Sequence, residues 1–341
     1  IWCADTTTDK NTIAFSDLLS PHVFTGGTAG TLNLIGVWPK GGDEIVALAA
    51  HNNFLFVFGK NQILIYSGAN SPSTMALQDS IVGIGCVARD TVVNIGEDVW
   101  FLSRSGVRSL ERTIQEKSAP SLNISKNIHD EIQSLLSVED LSGVKAAYSA
   151  SNSFYLLTSP SQAVTYCMDT RARLQDGSAR ATTWRGIVPK AMYEISTQKF
   201  YLGLAGYIGN HTGYLDDTTS YRMSYYSTWI DFGNPIQLSI LKKIILTLIG
   251  GTNQSVVVKW AYDFSDVQYS QTVVLNTLTP SAEYGVGEYG VAEYSGSSIV
   301  NVISANGSSS GRVMQFGIET EIDNKSLSVQ KIDIFTKDGR Y

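Results

Sequence analysis

Chemistry in this 341-residue chain would have to rest on four histidines, three cysteines and 31 acidic residues. His22, His51, His129 and His211 form no HxxxH, HxH or HExxH pattern, so the spacing that sets two imidazoles on one zinc ion is missing. Cys3, Cys86 and Cys167 are far apart and make no CxxC pair, which signals neither a zinc site nor a redox dithiol. An odd count without local partners fits free thiols in a reducing cytosol. No GxSxG elbow is present for a serine hydrolase. Gly83-Ile84-Gly85 is a bare GxG, and Gly26-Gly27-Thr28-Ala29-Gly30 lacks the Lys-Ser/Thr of a phosphate loop, so both read as turns. A glycosidase needs two carboxylates about 5–10 Å apart in one cleft. Asp216, Asp217, Asp263 and Asp266 are candidates by type, but their neighbours are those of turn residues. Glu283, Glu288 and Glu293 could face a hard cation, yet lack the dense Asp/Asn spacing of a calcium loop. The expectation is a chain with no catalytic residue, no cofactor and no metal site.

The elements that would position such groups are short strands. Phe54–Phe58 and Gln62–Tyr66 flank the turn Gly59-Lys60-Asn61. Val99–Ser103 and Val107–Glu111 flank Arg104-Ser105-Gly106. Val144–Ser149, Ser153–Thr158 and Ala163–Asp169 follow in the same manner. Five- to seven-residue runs broken by Gly, Asn, Asp or Ser read as hairpins. Meanders begin near 53, 91, 144 and 191, an irregular spacing around 40–50 residues without a strict repeat motif, near the roughly 40–45 residues of a four-stranded propeller blade, with a large sandwich as the rival. Asn123–Ser137 departs from this pattern. Ile124, Ile128, Ile132, Leu135 and Leu136 form one apolar helical stripe, with Asn123 or Ser125 as the cap.

From Tyr226 the runs lengthen and alternate more cleanly. In Val313–Ile322, Met314, Phe316, Ile318, Thr320 and Ile322 share one face, and Gln315, Glu319 and Glu321 the other. Leu327 and Val329 differ in parity from Ile332 and Ile334, which predicts a bulge near Gln330 or Lys331. About seven strands here match an immunoglobulin-like sandwich. The expected fold is therefore all-β. A β-propeller spans 1–225 and a C-terminal immunoglobulin-like β-sandwich spans 226–341, with one short helix. The chain opens at Ile1 in what already reads as a strand. An N-terminal segment is expected to be missing and the first blade incomplete.

Between two of the later strands, 283–294 repeats with period five and sets out Tyr284, Tyr289 and Tyr294. Five matches neither strand nor helix, so this is a loop. Tyrosine offers large amphipathic contact area at low entropic cost, which makes these three the candidate partner contacts. Charge narrows the partners. Only 16% of residues are charged and the net charge is -6, against a dedicated nucleic-acid binder. The basic residues Arg171, Arg173, Arg180 and Arg185, and Lys242-Lys243, read as solvated faces. The apolar run near Ile244–Ile249 is far short of the roughly 18 residues of a membrane span.

Several segments, in order, resemble one family. Ile13-Ala14-Phe15-Ser16-Asp17-Leu18-Leu19-Ser20-Pro21, the hairpin Phe54 to Tyr66, Gly83-Ile84-Gly85-Cys86, and Val99-Trp100-Phe101-Leu102-Ser103 with Gly106-Val107 are similar to motifs of the tail nozzle proteins of short-tailed bacteriophages. Trp229-Ile230-Asp231-Phe232-Gly233 and Phe335-Thr336-Lys337-Asp338-Gly339-Arg340 extend the likeness to the other end. The family is also called packaged-DNA stabilisation or tail tubular B-type. The resemblance implies a virion protein assembled in the host bacterial cytoplasm. It implies a homohexameric ring below the portal and its adaptor protein, beside tail fibre or spike proteins. Double-stranded DNA would pass through the lumen without sequence-specific contacts, held until ejection. An acidic, Lys/Arg-poor chain suits sliding, because a basic lumen would grip DNA through counterion release. The competing expectations are a carbohydrate- or receptor-binding propeller of a phage tail, and a propeller hydrolase.

Overall fold

A computed structural model describes residues 1–4, 8–115, 123–137, 141–195, 199–232, 237–251, 253–275 and 300–339. The chain is all-β and divides into two units, Ile1–His211 and Thr212–Tyr341. The strand Tyr221–Tyr226, which the sequence reading assigns mostly to the first domain, pairs with Val313–Ile322 in the second unit.

The first unit is a succession of antiparallel meanders. Sheet one joins Trp2–Ala4, Thr12–Phe15 and Gly30–Asn33. Sheet two joins Ile45–His51, Phe54–Gly59, Gln62–Ser67 and Ala76–Val82. Sheet three joins Val93–Asn94, Val99–Ser103 and Gly106–Ser109. Sheet four joins Lys145–Ser149, Phe154–Ser159, Val164–Arg173 and Ala179–Arg185. Sheet five joins Ala191–Ile195, Lys199–Gly203 and Ile208–Asn210. Each sheet packs on the next through its own apolar layer. Ile13 and Leu34 meet Leu55, Val57 and Leu64. Phe56, Phe58 and Ile65 meet Val99 and Phe101. Trp100 and Leu102 meet Tyr155, Leu157 and Met168. Leu156 and Ala147 meet Phe200 and Leu202. The inner strands Phe54–Gly59, Gln62–Ser67, Val99–Ser103 and Phe154–Ser159 therefore read as largely apolar runs, because both their faces are covered. The first strands of successive sheets also lie side by side, from Trp2–Ala4 through Ile45–His51, the 3-10 turn Arg89–Thr91 and Lys145–Ser149 to Ala191–Ile195.

The predicted helix is shorter than its stripe: a 3-10 turn, Lys126–Ile128, leads into an α-helix, His129–Leu136. Ile124 is not helical because its backbone is used elsewhere. Its N–H donates to the Val107 carbonyl and its carbonyl accepts from the Ala179 N–H. The Ser125 hydroxyl accepts from the Val107 N–H, so neither Asn123 nor Ser125 caps the helix. A further helical segment, Leu110–Gln115, follows sheet three.

In the second unit two antiparallel sheets share one core. One sheet runs Tyr221–Tyr226, Val313–Ile322, Ser255–Tyr262, Tyr269–Val274, with Ile230–Asp231 also on Val313–Ile322. The other places Ser239–Gly250 between Val300–Asn306 and Leu327–Asp338, with Ser310–Gly311 beside it. Leu241, Ile244, Leu246 and Leu248 meet Val256, Val258, Trp260, Met314, Phe316 and Ile318. The register passes from Thr247↔Lys331 to Leu248↔Val329, so Gln330 is the extra residue of the predicted bulge.

Candidate interaction surface

The structure disperses the groups most suited to chemistry. Among the described residues no three His, Cys, Asp or Glu side chains gather as a metal site would require. His51 faces the Glu97 carbonyl at 2.9 Å. His211 stacks on Trp184 and meets the edges of Phe154 and Phe200, and burial lowers its pKa. Burial pushes both the Cys86 and Cys167 thiols up to about 12, so each is protonated at neutral pH. Cys3 is exposed. Asp216 closes a turn with Thr219, whereas Asp263, itself in a turn, accepts through its carboxylate from the distant backbone N–H groups of Arg312 and Val313. Tyr284, Tyr289, Tyr294 and the three glutamates between and beside them lie outside the described residues.

The arginine group differs from its expectation in one respect. Arg171 pairs with Asp169 at 3.0 Å and is exposed, whereas Arg173 lies over the Trp100 ring at 4.3 Å and serves as packing rather than a solvated face. Lys243 similarly covers Phe335, at 4.7 Å.

Two of the motifs behind the family resemblance meet at one structural joint. The Cys86 N–H donates to the Gly59 carbonyl at 2.9 Å, tying the chain after sheet two onto its own hairpin turn. A Cβ on Gly85 would fall on the Gly59 carbonyl oxygen and on the backbone of Lys60 and Asn61. The buried Asp43 carboxylate clasps the same turn from the other side, accepting from the Asn61 N–H at 2.8 Å. The Phe54–Tyr66 and Gly83–Cys86 motifs are thus two halves of one lock.

A cavity of about 350 Å³ lies near the edge of sheet one, lined by Trp2, Phe15, Asp17, Leu18, Thr28 and Ala69 among others. Its one carboxylate is committed: the Thr28 hydroxyl and N–H both donate to Asp17, which holds its pKa below the usual carboxylate range.

The most concentrated ionic group, missed in the sequence, is on the polar face of the second unit. Glu319 is 8% exposed. It accepts from the Tyr226 hydroxyl, pairs with Arg222 at 2.5 Å and with Lys259 at 3.0 Å. Burial opposes its ionisation, but these three donors outweigh it and hold its carboxyl down at about 2. Tyr226 reaches it by lying across Gly317, where a Cβ would meet its ring. The alternation of Val313–Ile322 marks Glu319 as polar-facing, but its partners come from register with two other strands. Such a group is a clamp across three strands. It holds no proton to give at neutral pH.

No protein-family model matches the chain, and no curated protein matches it significantly. Among solved structures it is similar to a Bacillus thuringiensis Cry1Da tryptic core variant, at 8% identity and a TM-score of 0.22, over 97% of this chain and 58% of that one. It is also similar to an exo-β-1,3-galactanase from Phanerochaete chrysosporium solved with galactose, at 10% identity and a TM-score of 0.16, over 97% of this chain and 68% of that one. Likeness this low carries no argument about the chain.

Proposed function

We propose that the chain is a structural virion protein, a tail nozzle subunit of a short-tailed bacteriophage. Six copies form a ring that extends the DNA channel below the portal and its adaptor, retains the packaged genome and permits its ejection. Tail fibre or spike proteins attach around the ring, and DNA passes through without sequence-specific contacts. In this reading the five sheets are blades of a β-propeller, the second unit is an immunoglobulin-like sandwich, and no residue is catalytic.

The observation that carries the reading is the serial packing of the first unit. Sheet follows sheet, and the first strands of sheets one, two, four and five stand in a row that the 3-10 turn Arg89–Thr91 completes at sheet three, as innermost strands of blades stand around an axis. Buried apolar layers at each of the four junctions suit a wall that must not deform. Two of the ordered motifs add support, since Phe54–Tyr66 and Gly83–Cys86 meet at the joint that locks sheet two. A net charge of -6 suits a conduit that DNA slides through. The test is to mix the protein with portal–adaptor complexes and image the product. A six-fold ring capping the adaptor is expected. Free monomers beside unmodified complexes would contradict the proposal.

A further inference from the structure

The two sheets of the second unit are finished differently at their two sides. On one side Tyr269–Val274 lies beside Val300–Asn306, and the Gln271 carboxamide oxygen accepts from the Asn306 N–H at 2.7 Å. On the other side the strand Leu327–Asp338 pairs with Ser239–Gly250, and no strand lies beyond it among the described residues. At 12 residues it is about twice the ordinary strand length. An edge strand turns the N–H and C=O of every second residue away from its neighbour, ready to pair with another chain.

The core also runs out along this edge. Val329, Ile332 and Ile334 pair with Leu248, Leu246 and Ile244. Leu248, Leu246 and Ile244 are fully buried, whereas Ile332 and Ile334 are half-buried and Val329 is 37% exposed. The strand carries no proline, and after the Gln330 bulge Lys331–Asp338 continues for eight residues with no extra residue of its own. We propose that this edge binds an extended, acidic segment of another protein, which adds to the sheet as a further strand. The backbone of that segment takes the unpaired N–H and C=O groups, and its inward, apolar side chains cover Ile332 and Ile334.

Length and charge select that occupant. Eight residues span about 27 Å, room for a strand of ordinary length. Lys331 is already paired with Asp333 at 3.0 Å. Lys242, Lys243 and Lys337 make no ion pair among the described residues, and they gather beside Phe335 and Thr336 with Asp338 as the one acid. Lysines on an edge discourage pairing with an identical edge, while they attract a strand whose outward side chains are carboxylates. The site rests on the second unit alone and stands or falls independently of the ring.

Fluorescence anisotropy of the full chain with labelled octapeptides tests it. An alternating Glu-Val peptide is expected to bind, and hydrogen exchange in 331–338 to slow when it does. An alternating Lys-Val peptide, and a fully N-methylated Glu-Val peptide with no N–H to donate, bind about tenfold more weakly. Lys242→Glu combined with Lys337→Glu weakens the Glu-Val peptide about fivefold, with circular dichroism checking that the variant is folded. No binding of the Glu-Val peptide, binding that N-methylation leaves unchanged, or binding without slower exchange in 331–338 would overturn the proposal. So would self-association in sedimentation equilibrium that the Glu-Val peptide reverses, because the edge would then belong to a second copy.

Discussion

At the scale of residues, the ionised and the glycine positions make the sharpest claims. Glu319 ordinarily titrates near 4.5 and is held at about 2 here. A carboxyl depressed in the folded state adds stability that is complete above about 4.5 and drains away as pH falls toward 2. Its ceiling is on the order of 3 kcal/mol. Glu319→Gln is expected to destabilise the second unit by about 1–3 kcal/mol at pH 7, since Lys259 loses its buried partner. It should also flatten the acid limb of stability between pH 4.5 and 2. Urea titrations across pH measure both, and an unchanged limb would remove the clamp. Gly85→Ala is expected to cost about 3 kcal/mol, because its methyl group meets backbone rather than a movable side chain. Thermal melting of that variant reports the loss.

At the scale of elements, the junction between sheets three and four is fastened by a polar contact as well as by packing. The fully buried Tyr155 donates its hydroxyl to the Thr91 carbonyl at 2.8 Å. Tyr155→Phe leaves that carbonyl unpaired and should cost about 1–2 kcal/mol. Hydrogen exchange should then quicken in sheets three and four before sheet one, and uniform quickening would contradict separate junctions. This scale also marks what could be read in advance. Val99–Ser103 and Val313–Ile322 were legible because an unbroken apolar run or strict alternation ends at turn residues. The Gln330 bulge was legible from parity alone. Ile45–His51 was not read as the opening strand of sheet two, since its three alanines dilute the β-branched signal of Ile45 and Val46. Ile124 was read as helical because its contacts with Val107 and Ala179 are long-range and leave no periodic trace. The clamp at Glu319 was hidden for the same reason: register across strands makes it.

At the scale of the whole molecule, the central claim is that sheets packed in series make a passive wall around DNA. A chain of net charge -6 should bind duplex DNA weakly, and that weak binding should vanish as salt rises from 50 to 200 mM, as measured by fluorescence anisotropy. Tight binding that survives the higher salt would argue for a gripping surface. The most direct measurement is a cryo-EM reconstruction of the short-tailed virion proposed to carry this protein. The account predicts six copies around the DNA axis immediately below the adaptor ring, with the first strands of the five sheets grouped about each propeller axis. Density that places the chain at the periphery as a fibre or spike, or that leaves it out of the particle, would contradict it.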